Sequence, residues 1–126
     1  MQSRHAEIAA QCLTGSEAGS MTFPQILALL TKEGFEGYQV DFRRGFVTYY
    51  APETCIDLPI HALENPVAHQ FDTAAVRAAI GAAQSLAPGY TYLGFCNKIA
   101  AAGCTGYLVS LPGRRVVYFG RTGETH

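Results

Sequence analysis

The sequence predicts an α+β fold: an antiparallel sheet with helices packed on one face, built as an internal duplication of a helix–β-hairpin unit with pseudo-twofold symmetry. Three observations predict it. Apolar stripes at helical spacing are followed by stretches of period-two strand pattern. Each strand stretch is interrupted once by a turn signal, which makes it a hairpin. The third is a repeat: "GCTGYLVSLPGRRVVYFG", Gly103 to Gly120, follows the plan of "GFEGYQVDFRRGFVTYYA", Gly34 to Ala51, at an offset of 69. Thr22 to Ala51 then aligns without a gap on Thr91 to Gly120, with seven of thirty positions identical, where composition alone gives roughly two.

The elements follow in order. Ser3–Thr14 reads as a first helix. Thr22 opens the second: "TFPQ" is a capping box, Thr22 with Gln25, and Pro24 is tolerated in the first turn. Ile26, Leu27, Leu29 and Leu30 supply its apolar stripe, and Gly34 suits the left-handed position that ends a helix. Tyr38–Phe42 and Phe46–Tyr50 form the first hairpin, and Thr54–Leu58 a third strand. Asp72–Leu86 is a third helix, and a fourth runs from Thr91 to Gly103 with Phe95, Cys96 and Ile99 as its stripe. Tyr107–Leu111 and Val116–Phe119 form the second hairpin, whose third strand is expected to be stunted or missing. The expected organisation is one domain, 1–126, with repeat halves of about 3–60 and 72–126 and a connector at 61–71.

Strand alternation assigns the faces. Tyr38, Val40, Phe42, Val47, Tyr49, Tyr107, Val109, Leu111, Val116 and Tyr118 belong to the face the helices cover. The opposite face carries Gln39, Asp41, Phe46, Thr48 and Tyr50, with Leu108, Ser110, Arg115, Val117 and Phe119. It is too apolar for a fully solvated surface, so a third layer, a partner subunit or a ligand is expected over it.

Composition bounds the function. Apolar residues make up 48% of the chain and charged residues 15%, with a net charge of −1; this excludes a disordered arm and gives no field towards nucleic acid or anionic lipid. No apolar run approaches the roughly 18 residues of a membrane span, and "MQSRHAEIAAQCLTG" lacks the apolar core of a signal peptide. A cytoplasmic protein is expected, without membrane or nucleic-acid partners. Cys12, Cys55, Cys96 and Cys104 show no C-x-x-C spacing and read as buried free thiols.

Candidate sites are sparse. His61 and His69 lie eight apart with Asp57 and Glu64 nearby, but neither H-x-x-x-H nor H-E-x-x-H occurs, so no metal or cofactor is expected. "GFEG" and "GCTG" follow helices and lack the lysine and hydroxyl of a phosphate loop. No triad or carboxylate pair is legible, so no catalytic residue is assigned. Arg43, Arg44, Arg114, Arg115 and Arg121 cluster near the hairpin turns and the C-terminus, and form an anion patch if the symmetry brings the turns together. Ligand-binding residues are therefore sought among Asp41, Arg44, Tyr50, Arg114, Arg115 and Phe119, at or near positions where the copies differ.

At "GYQVDFRRGFVTYYA", "FDTAAVRAAIGAAQ", "FCNKIAAAGCTGY" and "GRRVVYFGRTGE" the chain resembles a small bacterial and prophage-borne family of unknown function, YbcV/YdfO-like, some of whose members carry the label phage envelope protein. The resemblance spans nearly the whole chain. It implies a small α+β domain, no cofactor and no catalytic residues to carry over, and members run further after "GRTGE" towards another strand. The functional expectation is a non-enzymatic binding or regulatory module, a homodimer or a protein complex through the second sheet face. The competing expectations are a small-ligand or anion-binding protein with a pocket between the halves, and a small enzyme using a His or Cys.

Overall fold

The structure, a computed structural model, describes residues 2–126. Among them are four helices and five strands: α1 (Gln2–Ala18), α2 (Phe23–Lys32), β1 (Gly37–Asp41), β2 (Phe46–Ala51), β3 (Thr54–Pro59), α3 (Thr73–Ser85), α4 (Tyr92–Ala101), β4 (Cys104–Ser110) and β5 (Arg115–Gly120). The strands form one antiparallel sheet in the order β3-β2-β1-β4-β5. The α+β class is as the sequence predicts.

Local chemistry sets the helix ends. The Gln25 amide donates to the Thr22 hydroxyl, and the Thr22 amide donates back to the Gln25 side chain at 2.9 Å, the predicted capping box. Thr91 accepts from the Gly94 amide and Asp72 from the Ala75 amide, both at 3.0 Å. Gly34 and Gly103 follow α2 and α4 at φ +84° and +89°, a conformation in which a Cβ is strained. α1 runs to Ala18, four residues past its predicted end. Its continuation "GSEA" holds a glycine whose bare α-carbon faces the Met21 side chain.

The helix-facing side of the sheet is the predicted one. Tyr38, Val40, Phe42, Val47, Tyr49, Tyr107, Val109 and Tyr118 are buried there, with Ile8, Cys12, Ile26, Leu30, Val76, Phe95 and Ile99 from the helices. Packed tyrosines run through this core. Tyr38 lies against Tyr49 at 5.3 Å between ring centroids, and Tyr107 against Tyr118 at 5.4 Å, both pairs tilted by 35°. The Tyr92 and Tyr107 hydroxyls share a hydrogen bond of 2.6 Å, so these two phenols keep a polar partner.

The centre of the sheet is the β1–β4 pair, with Tyr38 opposite Val109, Gln39 opposite Leu108 and Val40 opposite Tyr107. Beyond it the Phe42 amide donates to the Thr105 carbonyl, and the Leu111 amide to the Glu36 carbonyl, each at 2.9 Å. A Cβ at Gly37 would strike the Val109 carbonyl oxygen, and one at Gly106 the Val40 carbonyl oxygen. Both positions are bare because backbone passes there.

The second hairpin's third strand, expected to be stunted or missing, is a stub: Tyr118 and His126 exchange backbone hydrogen bonds of 2.9 Å, and Thr125 bridges Phe119. A turn through Arg121, Thr122 and Gly123, with Gly123 at φ +87°, brings it back. The residues linking β3 to α3 are held by backbone, since Ala68 donates to Ala100 and Asp72 to Ala102. Arg121 clamps them by donating to the Val67 and Ala68 carbonyls at 2.8 and 3.3 Å. That arginine is spent on structure.

Gly106→Ala is expected to cost about 1–3 kcal/mol, the range for a forced side chain in a packed site. Gly81→Ala, on an open part of α3, is expected to stabilise by about 0.5–1 kcal/mol. Urea denaturation of the two variants checks both signs.

Candidate functional site

The register sorts the outer face of the sheet into three rows. Cys55, Tyr50, Gly37, Ser110 and Arg115 form one; Asp57, Thr48, Gln39, Leu108 and Val117 the next; Pro59, Phe46, Asp41, Gly106 and Phe119 the third. No helix among the described residues covers this face. Tyr50 is 39% exposed, and Phe46, Leu108, Val117 and Phe119 are half-buried. Thr48 donates to Asp57 across β2 and β3, and the Arg44 guanidinium lies 4.9 Å from the Phe46 ring centre. The surface is a band of aromatic and aliphatic side chains between polar ones.

The six sequence-predicted ligand residues do not converge on one point. Phe119 shares a row with Asp41, and Tyr50 one with Arg115, three strand spacings away or roughly 14 Å. Arg44 and Arg114 stand at opposite ends of the sheet. Antiparallel pairing of β1 with β4 points their hairpins in opposite directions, so the turns are not brought together and no single arginine patch forms. Asp41 is spent locally: its carboxylate accepts from the Arg43 and Arg44 amides at 3.0 and 3.1 Å. Ser110 does the same job in the other turn, accepting from the Gly113 amide at 2.9 Å. The Asp41/Ser110 difference is a difference in turn chemistry.

A second surface was not legible in the sequence. An open groove of about 340 Å³ runs between α2 and the β4–β5 hairpin, with Phe23, Leu27, Leu111 and Val116 as its apolar lining and Arg114 and Arg115 beside them. Phe23, at the start of α2, is 46% exposed. Arg114 adopts a left-handed backbone, φ +54°, where the other turn has Gly45 at φ +76°. A side chain there costs about 1–2 kcal/mol relative to glycine, and the strain sits at the rim of the groove. Only the spatial meeting of α2 with β4–β5 creates this surface, so no local motif signals it.

The thiols divide three to one. Cys12, Cys96 and Cys104 are buried and free, whereas Cys55 is exposed, contrary to the expectation that all four are buried. Alternation explains it: Cys55 pairs with Tyr50 on the outer face. Burial pushes the Cys12 thiol up to about 11 and the Cys96 thiol up to about 12, and moves Cys104 in the same direction. These groups are held protonated, the opposite of an activated nucleophile. His61 lines a small recess beside Glu17 and Asn97, and among the described residues no three His, Cys, Asp or Glu side chains gather as metal ligands. No helix among them is long and apolar enough to cross a membrane.

The sequence signature of a family described as "Protein of unknown function (DUF1398)" matches residues 11–125. No curated protein matches the chain.

Alkylation at pH 8 is expected to modify one thiol rapidly, Cys55, and the other three only on unfolding, as counted by intact mass. The buried thiols also fix a sign. The unfolded chain releases their protons from about 9, while the folded chain holds them to about 11 at Cys12 and about 12 at Cys96. Their contribution to stability is therefore complete below pH 9 and lost as pH rises through that window. Urea midpoints between pH 8 and 11 should fall steadily, and less so in Cys12→Ala relative to its own pH 8 value.

Proposed function

This chain belongs to the DUF1398 family, and we propose that it works as a non-enzymatic binding or regulatory module that meets a second copy of itself through the outer face of the sheet. The observation that carries this reading is the uncovered band of Phe46, Tyr50, Leu108, Val117 and Phe119. A half-apolar sheet face left open to water is a surface for association. The protonated buried thiols weigh against a cysteine enzyme.

The same proposal includes an internal duplication with pseudo-twofold symmetry and one domain. Several pairings support it. Gln39 lies opposite Leu108, its own counterpart at offset 69, as a twofold axis through the central strands requires. Gly37 meets the carbonyl of Val109 and Gly106 that of Val40, each the other's counterpart. The two tyrosine pairs repeat the same spacing and tilt. A YbcV/YdfO-like, prophage-associated member of the family is supported by the quoted motifs, and a cytoplasmic location by four free cysteines.

The groove between α2 and β4–β5 favours a second reading, a ligand site between the halves that includes Arg114 and Arg115.

Light scattering over a concentration series to about 0.5 mM, the range that reports weak self-association, tests the first reading. It expects a species of twice the 13.6 kDa chain mass, and a monomer for Leu108→Lys/Val117→Lys with an unchanged melting temperature. A strictly monomeric parent chain contradicts it.

A further inference from the structure

The outer face carries a pattern of size and charge as well as an apolar band. β1 is the middle strand of the five, and the strands beside it differ. β2 sets the large Phe46 and Tyr50 at the two ends of its run, whereas β4 sets Gly106 and Ser110 in the same two rows. In the middle row the order reverses, with Thr48 on β2 and Leu108 on β4. Charge is divided too: Asp57 stands on β3 at one side and Arg115 on β5 at the other, both exposed. Among the described residues neither has an oppositely charged partner. Asp57 accepts from the Thr48 hydroxyl, and Arg115 makes a long bond, 3.5 Å, to the Gly113 carbonyl of its own turn. Strand parity puts these side chains on this face whatever pairs with either edge of the sheet.

Two sheets that pack face to face keep their strands nearly aligned, about 10 Å apart. A twofold axis can relate two copies in this way along the strands or across them. With the axis along β1, each row lies over itself and the strand order reverses, so β2 lies over the partner's β4 and β3 over the partner's β5. Phe46 then comes over the partner's Gly106, Tyr50 over the partner's Ser110 and Leu108 over the partner's Thr48, so each larger side chain meets a smaller one. Asp57 lies one row from the partner's Arg115, about 7 Å along the strand, within the sweep of that long side chain. With the axis across the strands, each strand lies on its own copy with the rows inverted. Phe46 then meets the partner's Tyr50, Gly106 meets the partner's Ser110, and Asp57 faces the partner's Asp57. Bulk stands on bulk there, and like charges oppose.

We infer that two copies pack outer face to outer face about a twofold axis along β1, with β3 of each over β5 of the other and Asp57 paired with the partner's Arg115 at both sides. This rests on the outer-face reading above and adds the arrangement and the residues that select it. Five strands about 4.8 Å apart and three rows about 7 Å apart span roughly 24 by 20 Å. That is about 500 Å² per copy, against about 800 Å² per partner in a stable complex. The pair is therefore weak and reversible. Apolar contact holds the sheets together, and the two charge pairs set the axis and register.

Charge exchange tests it. Asp57→Arg and Arg115→Asp are each expected to weaken self-association about tenfold in sedimentation velocity, because each sets two like-charge pairs in its dimer. A one-to-one mixture of the two variants is expected to recover the parent association, since the mixed dimer holds one native pair and one reversed pair. Melting temperatures check that both variants fold. Proximity is read separately, and decides if the exchanged variants unfold. Arg115→Cys treated with a short bis-maleimide should give, through Cys55, a covalent species of twice the 13.6 kDa chain mass, and the parent chain should not. Within one copy the two thiols stand four strand spacings apart, roughly 19 Å, too far for such a reagent. A dimer that Leu108→Lys/Val117→Lys dissociates, with neither recovery on mixing nor the Arg115→Cys crosslink, overturns the inference and leaves the outer-face reading standing. Crosslinking of the parent chain through Cys55 alone also overturns it. A strictly monomeric parent chain removes both.

Discussion

Everything else in the molecule hangs on the contact between β1 and β4. These strands can approach only because Gly37 and Gly106 carry no side chain where the partner strand's carbonyl passes. Five residue pairs, from Gly37–Ser110 to Asp41–Gly106, then join two hairpins into one sheet, and the flanking amides of Phe42 and Leu111 lengthen the ladder at both ends. Once the central pair is fixed, the alternation of each strand decides which side chains face the helices. A slip of one residue would turn Tyr38, Val40, Tyr107 and Val109 out to water.

The same contact explains where surfaces open. It sends the two hairpins in opposite directions, so each turn lies at its own end of the sheet and beside a different helix. At the β2 end, β3 and the residues after it close the edge, with Leu58 and Ile60 as plugs. At the β5 end Thr125 and His126 pair beside Phe119 and Tyr118, and a groove between α2 and the hairpin is lined by Arg114 and Arg115 among others.

Much of the scaffold was legible because it is locally encoded. The Thr22 capping box, the left-handed glycines after α2 and α4, and the inward tyrosines follow from spacing within a few residues. The anion patch failed for a different reason. Whether Arg44 and Arg114 meet depends on how distant strands pair, and the repeat offset alone is silent on that. Arg121 was grouped with the others by position, yet its partners are carbonyls more than fifty residues away. Cys55 was read by composition when strand parity would have placed it outside. The groove needed three separated elements to meet, so no motif could carry it.

The central claim is that β1 and β4 bind both hairpins into one cooperative unit, and native-state hydrogen exchange in low urea tests it most directly. Amides at the middle of β1 and β4, with those of Phe42 and Leu111, should exchange only through global unfolding, at the same free energy from both sides of the seam. Amides facing the open edge of β5 should exchange far sooner. Separate opening energies for β1–β2–β3 and β4–β5, each below the global value, would contradict the account.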